Sequence, residues 1–452
     1  MLGNGFGYPE HMIYKDALKI SGRPVLADLT TMTALELGQA VEAGNTTCED
    51  VASAYLERIG DREPDVQAWA YIRPDKVLRD ARALDQGPRR GLLHGVPFAA
   101  KDTIDTVDMP TGHGSPIYAG CQPDRDATCI AMCRAAGGLL LGKTVTTEFA
   151  HVSPGKTRNP RDPARTPGGS SSGSAAAVSD RMTPVAFGTQ TTGSIIRPAS
   201  FCGVVGYKPS YGDFGLSGVG QNAPSFDTLG VMACDAADLP LMRAAVMGAP
   251  YHPLDAPPAS SLRLGLCRTP YWTEAEPSTQ TAIEEAAERL SRAGASVEDF
   301  SLPDGYAVVG DCLPLVSGYE FARVLAYERA NHPDKLSENL LNGRVADGDR
   351  CSYDDYRAAL ASITGYKAKL ADAFGEFDAL LTPSAAGEAL VGLAVTGSPL
   401  FNGVWTALHS PVVTLPVLEG PNGLPLGLQL IGKLYQDGAL LDAAGTVFAA
   451  LA

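Results

Sequence analysis

Lysine, serine and glycine are grouped in this chain in a way that suits acyl transfer without histidine. Thr166-Pro-Gly-Gly-Ser-Ser-Ser-Gly-Ser174 and Thr191-Thr-Gly-Ser194 each present serines in small-residue turns. Upstream, Gly95-Val-Pro-Phe-Ala-Ala-Lys-Asp102 ends on a lysine beside an aspartate. Serine is a poor nucleophile at neutral pH and needs a base, plus donors that hold an oxyanion. Lysine serves as that base only when burial or hydrogen bonding brings its pKa towards neutrality. The three segments together supply a nucleophile, a relay, a base and a run of backbone N–H groups.

Other motifs compete for the same chain. Gly137-Gly-Leu-Leu-Leu-Gly-Lys-Thr144 satisfies the phosphate-loop pattern letter for letter. Its apolar centre suits a buried strand, and no helix start follows to receive a phosphate. Gly169-Ser-Ser-Ser-Gly173 matches a nucleophile elbow centred on Ser171. That class needs an acid and a histidine, and His252, His332 and His409 sit in no recognisable constellation. Ser153-Pro-Gly-Lys156 matches S-x-x-K, but proline and glycine prevent the helical turn that would align the pair.

The elements that must position these residues read as α/β. Residues 1–30 form an irregular arm. Thr33-Ala-Leu-Glu36 is a capping box and Thr47 caps a second helix. Helices are predicted near 74–85, 125–136, 279–293 and 353–374, the last capped by Ser352. Strands are predicted at 139–141, 262–267, 296–300 and 377–381. Residues 91–230 are dense in Gly, Pro, Ser and Thr, yet interleaved with apolar segments, as a rigid floor of loops over strands would be. The expected architecture is one α/β/α domain over 1–452, with a mixed, mostly parallel twisted sheet covered by helices. Within it, 91–235 would form the reactive core and 236–376 a covering section that shapes the substrate pocket.

Composition narrows the class. A formal net charge of −15 opposes nucleic-acid binding, because phosphates would be repelled. Nine scattered cysteines lack paired spacing, which points to a reducing compartment. Cys129 and Cys133 are four apart on a helix without further ligands and read as core thiols. No basic-then-apolar leader opens the chain, and no window approaches the ~18–20 apolar residues of a membrane span. A cytoplasmic protein without metal or cofactor, monomeric or homodimeric, is expected.

Lys101, Ser170 and Ser194, with the glycines and prolines around them, resemble the amidase signature family of serine hydrolases. The likeness includes Gly95-Val-Pro97, Gly142-Lys-Thr144, Glu148-Phe-Ala150, 166–174, Pro198-Ala199, Phe201-Cys-Gly-Val-Val-Gly206 and Lys208-Pro209. It closes with Gly423-Leu-Pro425, Gly427, Gln429-Leu430, Gly432 and Asp437. The resemblance implies that Ser194 is the nucleophile, Ser170 a bridging serine after a cis peptide bond, and Lys101 the base. Backbone N–H groups of Thr191, Thr192, Gly193 and Ser194 would hold the oxyanion, while Ser171, Gly169 and Gln190 support the loops. One departure stands out: where many members read Asp-x-Gly-Gly-Ser-Ile-Arg, this chain reads Gln190-Thr-Thr-Gly-Ser-Ile-Ile196. An acid and a base are lost together, which leaves no unpaired buried charge. Arg197, shifted by one residue, would point the other way on a strand.

The family's substrates include aliphatic and aryl amides, urea-like compounds and carbamates, and one branch is the partner-dependent glutaminase subunit of a tRNA amidotransferase. No set of charged anchors for a zwitterionic amino acid is legible, so a free-standing hydrolase of a small amide or carbamate is expected. The partner-dependent amidotransferase role is the alternative. Tyr306, Val309, Leu313, Leu315, Val316, Tyr319, Phe321, Phe401 and Trp405 would give an apolar, aromatic-rich pocket suited to aryl amides, anilides or carbamates.

Overall fold

The computed structural model describes residues 29–452. The arm expected over 1–30 therefore lies almost wholly outside the described residues, and Leu29–Thr31 is a 3-10 turn. Eleven strands follow: β1 (Trp69–Ile72), β2 (Pro97–Lys101), β3 (Leu139–Thr144), β4 (Val185–Gln190), β5 (Val205–Lys208), β6 (Thr228–Ala233), β7 (Arg263–Leu266), β8 (Ser296–Asp299), β9 (Ala379–Pro383), β10 (Val412–Glu419) and β11 (Pro425–Ile431). They join in one sheet in the order β1-β3-β2-β4-β6-β5-β10-β11-β9-β7-β8.

The sheet is mixed and flanked by helices, as expected, but it is not mostly parallel. Among the described residues only β2–β3, β2–β4, β7–β8 and β7–β9 pair in parallel. The other six pairings are antiparallel. Parallel neighbours need a helical crossover. The helices Thr128–Ala135, Ser172–Ser179 and Pro277–Arg292 supply such crossovers after β2, β3 and β7. A short turn instead folds β10 back onto β11. Apolar runs look alike in either setting, so the sequence does not reveal the pairing sense.

Strand alternation divides the core into two layers. Ala99, Leu139, Leu141, Ala186 and Leu380 pack on one face with the helices Cys48–Val66, Ser172–Ser179 and Tyr353–Phe374. Phe98, Ala100, Leu140, Phe187 and Leu381 pack on the other with Thr128–Ala135, Asp238–Met247 and Asp437–Leu451. A period of two puts Lys101 on the Ala99 face, at the carboxyl end of β2. β3 and β4 run parallel to β2, so their carboxyl ends open onto the same edge, where α/β sheets place ligands.

Local signals read from the sequence are present. Thr33 and Glu36 form the reciprocal capping box, and Thr47 and Ser352 cap their helices. The phosphate-loop match is β3 itself, buried throughout, with Lys143 Nζ donating to Ile104 C=O and to Thr111 Oγ1. All nine cysteines are free, and burial pushes the Cys129 thiol up to about 12. Among the described residues no helix is long and apolar enough to cross a membrane, and no acidic, histidine or cysteine cluster could hold a metal.

Gly173 fixes how closely the serine-bearing segment meets the sheet. Its N–H donates to Val145 C=O at 3.0 Å, and a Cβ there would lie 2.3 Å from both Ala68 O and Val145 N. Gly173→Ala is expected to destabilise the fold by about 2 kcal/mol or more, read as a lowered urea midpoint with an unchanged slope.

Candidate active site

Lys101 is fully buried, and its amine has hydroxyl partners. Nζ lies 2.7 Å from Ser170 Oγ and 2.8 Å from Thr189 Oγ1. No carboxylate among the described residues bonds it. Burial pushes its pKa down to about 7, with the charge of Asp227 pulling the other way. A lysine in this state gives up its proton near neutrality and can then accept one from Ser170.

Ser170 follows a cis peptide bond, Gly169–Ser170, and is 1% exposed. Its carbonyl accepts from Thr147 N–H at 3.2 Å, which ties the turn to the end of β3. Ser171 begins the helix Ser172–Ser179 and is spent on structure. Its hydroxyl accepts from Thr189 N–H and donates to Thr189 C=O, both at 3.3 Å. The structure therefore brings Lys101 and Ser170 together and sets Ser171 aside, while Thr189 joins the lysine without any motif to announce it.

Ser194 lies between β4 and the helix Ile196–Cys202, 8% exposed, with no hydrogen bond to its hydroxyl among the described residues. The Ser170–Ser194 bond of a closed relay is not formed. The amides of Thr191, Thr192, Gly193 and Ser194 likewise donate to no group among the described residues, which leaves four consecutive N–H donors free. The turn around them is held elsewhere. Thr191 Oγ1 donates to Asp227 at 2.5 Å, Thr192 C=O accepts from Thr406 Oγ1 at 2.8 Å, and Gly193 C=O accepts from Arg197 N–H at 3.0 Å.

The departure at 190 and 196 has a local explanation. Gln190 Oε1 accepts from Ile195 N–H (2.7 Å) and Ile196 N–H (3.0 Å), and its Nε2 donates to Thr406 Oγ1 (2.9 Å). A neutral amide thus satisfies donors at a helix start without a cation to balance it. The expectation for Arg197 needs correction. Residues Ile196–Cys202 are helical, so one residue's shift turns a side chain by about 100° and does not reverse it. Arg197 is buried, and its Nη2 donates to Gly169 C=O at 2.6 Å, which clamps the Ser194 segment to the turn that bears Ser170. Burial lowers its pKa to about 10.

Beside Thr192 opens a cavity of about 430 Å³ whose lining includes His151, Tyr271, Leu313, Arg344, Asp347 and Val404. The aromatic residues expected to line it do not. Of the pocket residues read from the sequence only Leu313 lines it; Tyr306, Val309, Val316, Phe321, Phe401 and Trp405 are core, while Leu315 and Tyr319 lie towards the surface. The helix Tyr306–Val324 turns Gly310, Leu313, Pro314 and Ser317 to the cavity and packs its bulkier residues inward. Gly310 admits the Tyr271 hydroxyl, which would sit 2.1 Å from a Cβ at that position. Arg344, in the π-helical turn Leu341–Val345, and Asp347 supply a guanidinium and a carboxylate on one wall. These two charged residues escape a reading of the sequence, because an irregular turn shows no periodicity to mark its inward face.

The sequence model of the Amidase family matches residues 50–441. The A subunit of the glutamyl-tRNA(Gln) amidotransferase of Chloroflexus aurantiacus is 33% identical over 92% of this chain and 96% of its own. The native peptide amidase of Stenotrophomonas maltophilia superposes with a TM-score of 0.80 at 28% identity, covering 93% of this chain and 97% of that one. A chain from a vestigial complex that bears on the origins of an s-triazine catabolic enzyme gives 0.84 at 27% identity, covering 92% and 98%.

The lowered Lys101 pKa sets two expectations. Turnover should rise with pH through about 7 as the amine loses its proton. Lys101→Met should cost roughly 10²–10⁴-fold in kcat. In stability the sign is fixed by linkage: the native state holds fewer protons than the unfolded chain between about 7 and 10.5, so this lysine's penalty is full below 7 and fades as pH rises. Lys101→Met should therefore gain stability relative to wild type as pH falls through that window, as read by denaturant unfolding across pH.

Proposed function

The chain belongs to the amidase family, and from that premise we propose that it cleaves a C–N bond of an amide or carbamate by acyl transfer to Ser194. The observation that supports this most is the buried Lys101 amine on Ser170 Oγ with no carboxylate in contact. In the proposed sequence neutral Lys101 takes a proton from Ser170 as Ser170 takes one from Ser194. Ser194 Oγ attacks the carbonyl, and the amides of Thr191, Thr192, Gly193 and Ser194 hold the oxyanion. The proton returns through Ser170 to the leaving amine, and water then releases the acyl group. The relay closes in the complex with substrate, where catalytic hydrogen bonds tighten.

A second reading concerns the substrate. Similarity along nearly the whole chain to amidotransferase A subunits supports a partner-dependent glutaminase better than a free-standing hydrolase of aryl amides or carbamates. Arg344 and Asp347 agree with that, since a guanidinium and a carboxylate on one wall suit the two charges of an amino acid. Assaying the purified chain alone on glutamine, anilides and carbamates separates the two. A partner-dependent glutaminase is expected to act feebly on glutamine and on nothing apolar. Its Arg344→Ala variant should raise KM for glutamine about tenfold to a hundredfold, the worth of a charged hydrogen bond. Brisk turnover of anilides or carbamates, indifferent to Arg344→Ala, would restore the free-standing hydrolase.

A further inference from the structure

Asp227 is a buried carboxylate that the triad does not use. It stands just before β6, 6% exposed, and no cation among the described residues is hydrogen-bonded to it. One oxygen accepts from Thr191 Oγ1 at 2.5 Å. The other accepts from Asn222 N–H at 2.7 Å and Ala223 N–H at 3.0 Å. The Asn222 side chain continues the network outward. Its Oδ1 accepts from Arg344 Nη1 at 3.0 Å, and its Nδ2 donates to the carbonyls of Phe149 and Ala150 at 3.3 and 3.4 Å. Phe149 and Ala150 both have positive φ and lead directly into His151 on the cavity wall. An unbroken set of bonds thus joins that wall to the turn before Ser194.

We propose that Asp227 is a positioning residue that holds the 191–194 turn in oxyanion-binding geometry through the Thr191 hydroxyl, with Asn222 tying that turn to the Arg344 wall; this rests on the Ser194 reading above. A carboxylate suits the task because it accepts on both oxygens, where an amide offers one acceptor and one donor. Donors fixed beforehand need no reorganisation when charge develops on the substrate oxygen. The charge itself does not help an oxyanion nearby, so the geometric role is the one that explains it. Asp227 also acts on Lys101 at a distance, raising the amine's pKa against the effect of burial. Burial pushes the Asp227 carboxyl up to about 6, with Glu320 adding to the rise and the bonds from Thr191, Asn222 and Ala223 opposing it, and Arg344 is the cation that its charge acts on.

The test compares Asp227→Asn, Thr191→Val, the double variant and Ser194→Ala in the full chain, on whichever substrate the wild type turns over. Each single variant is expected to lower kcat roughly tenfold to a hundredfold, the cost of a small misplacement, with KM little changed. The double variant should be no worse than the more damaging single one. Wild-type kcat in Thr191→Val, multiplying effects, or a loss confined to KM would overturn the proposal. If Asp227→Asn does not fold, Thr191→Val decides by its kcat. Retained turnover in Ser194→Ala would show instead that the Ser194 reading has failed.

Discussion

Everything in the site depends on holding one amine away from water with no acid against it. Lys101 reaches the carboxyl end of β2 inside the sheet's core, and its two contacts are hydroxyls. A carboxylate there would keep the amine protonated and useless as a base, whereas open water would restore its ordinary pKa. The neighbouring parts follow from this constraint. Ser170 and Thr189 come from the turn after β3 and from the end of β4, both parallel to β2, so a single edge of the sheet collects all three. Asp227 is bonded to Thr191, not to the lysine, and its charge acts on the amine without a bond.

The second constraint is the joining of two turns. The Ser170 turn and the Ser194 turn belong to different connections, and they meet through Arg197 on Gly169 C=O. The loss of the usual acid and base at 190 and 196 is absorbed by Gln190, which bonds two amides at the helix start while Arg197 works from the next position. A cation remains behind Ser194, but it bonds a carbonyl and has no acid partner among the described residues. Burial lowers its pKa to about 10, so it stays charged at neutral pH.

The candidate residues of the site are legible because each is embedded in a local pattern: lysine after Gly-Val-Pro, serines among glycines. Caps at Thr33, Thr47 and Ser352, and the helices Pro277–Arg292 and Tyr353–Phe374, are legible from spacing and side-chain chemistry. What escapes is relational. Thr189, Asn222 and Asp227 are ordinary polar residues in sequence and acquire their places only when β4, β6 and the 222–227 loop converge. Asp227 has one weak signal, an acid immediately before an apolar strand. The pocket is not legible because Tyr306, Phe401 and Trp405 are as apolar in a core as in a binding site, and only packing tells which. Arg197 is misplaced by a strand reading because seven residues rich in small and apolar types fold as a helix.

The central claim is that Ser194 is the nucleophile and that neutral Lys101 activates it through Ser170. The most direct measurement is intact mass and peptide mapping after treatment with a fluorophosphonate, at several pH values, in wild type and Lys101→Met. The account predicts a single adduct on Ser194, forming faster as pH rises through about 7 in the wild type and nearly absent in the variant. An adduct on Ser171, or labelling of Ser194 at the same rate without Lys101, would contradict it.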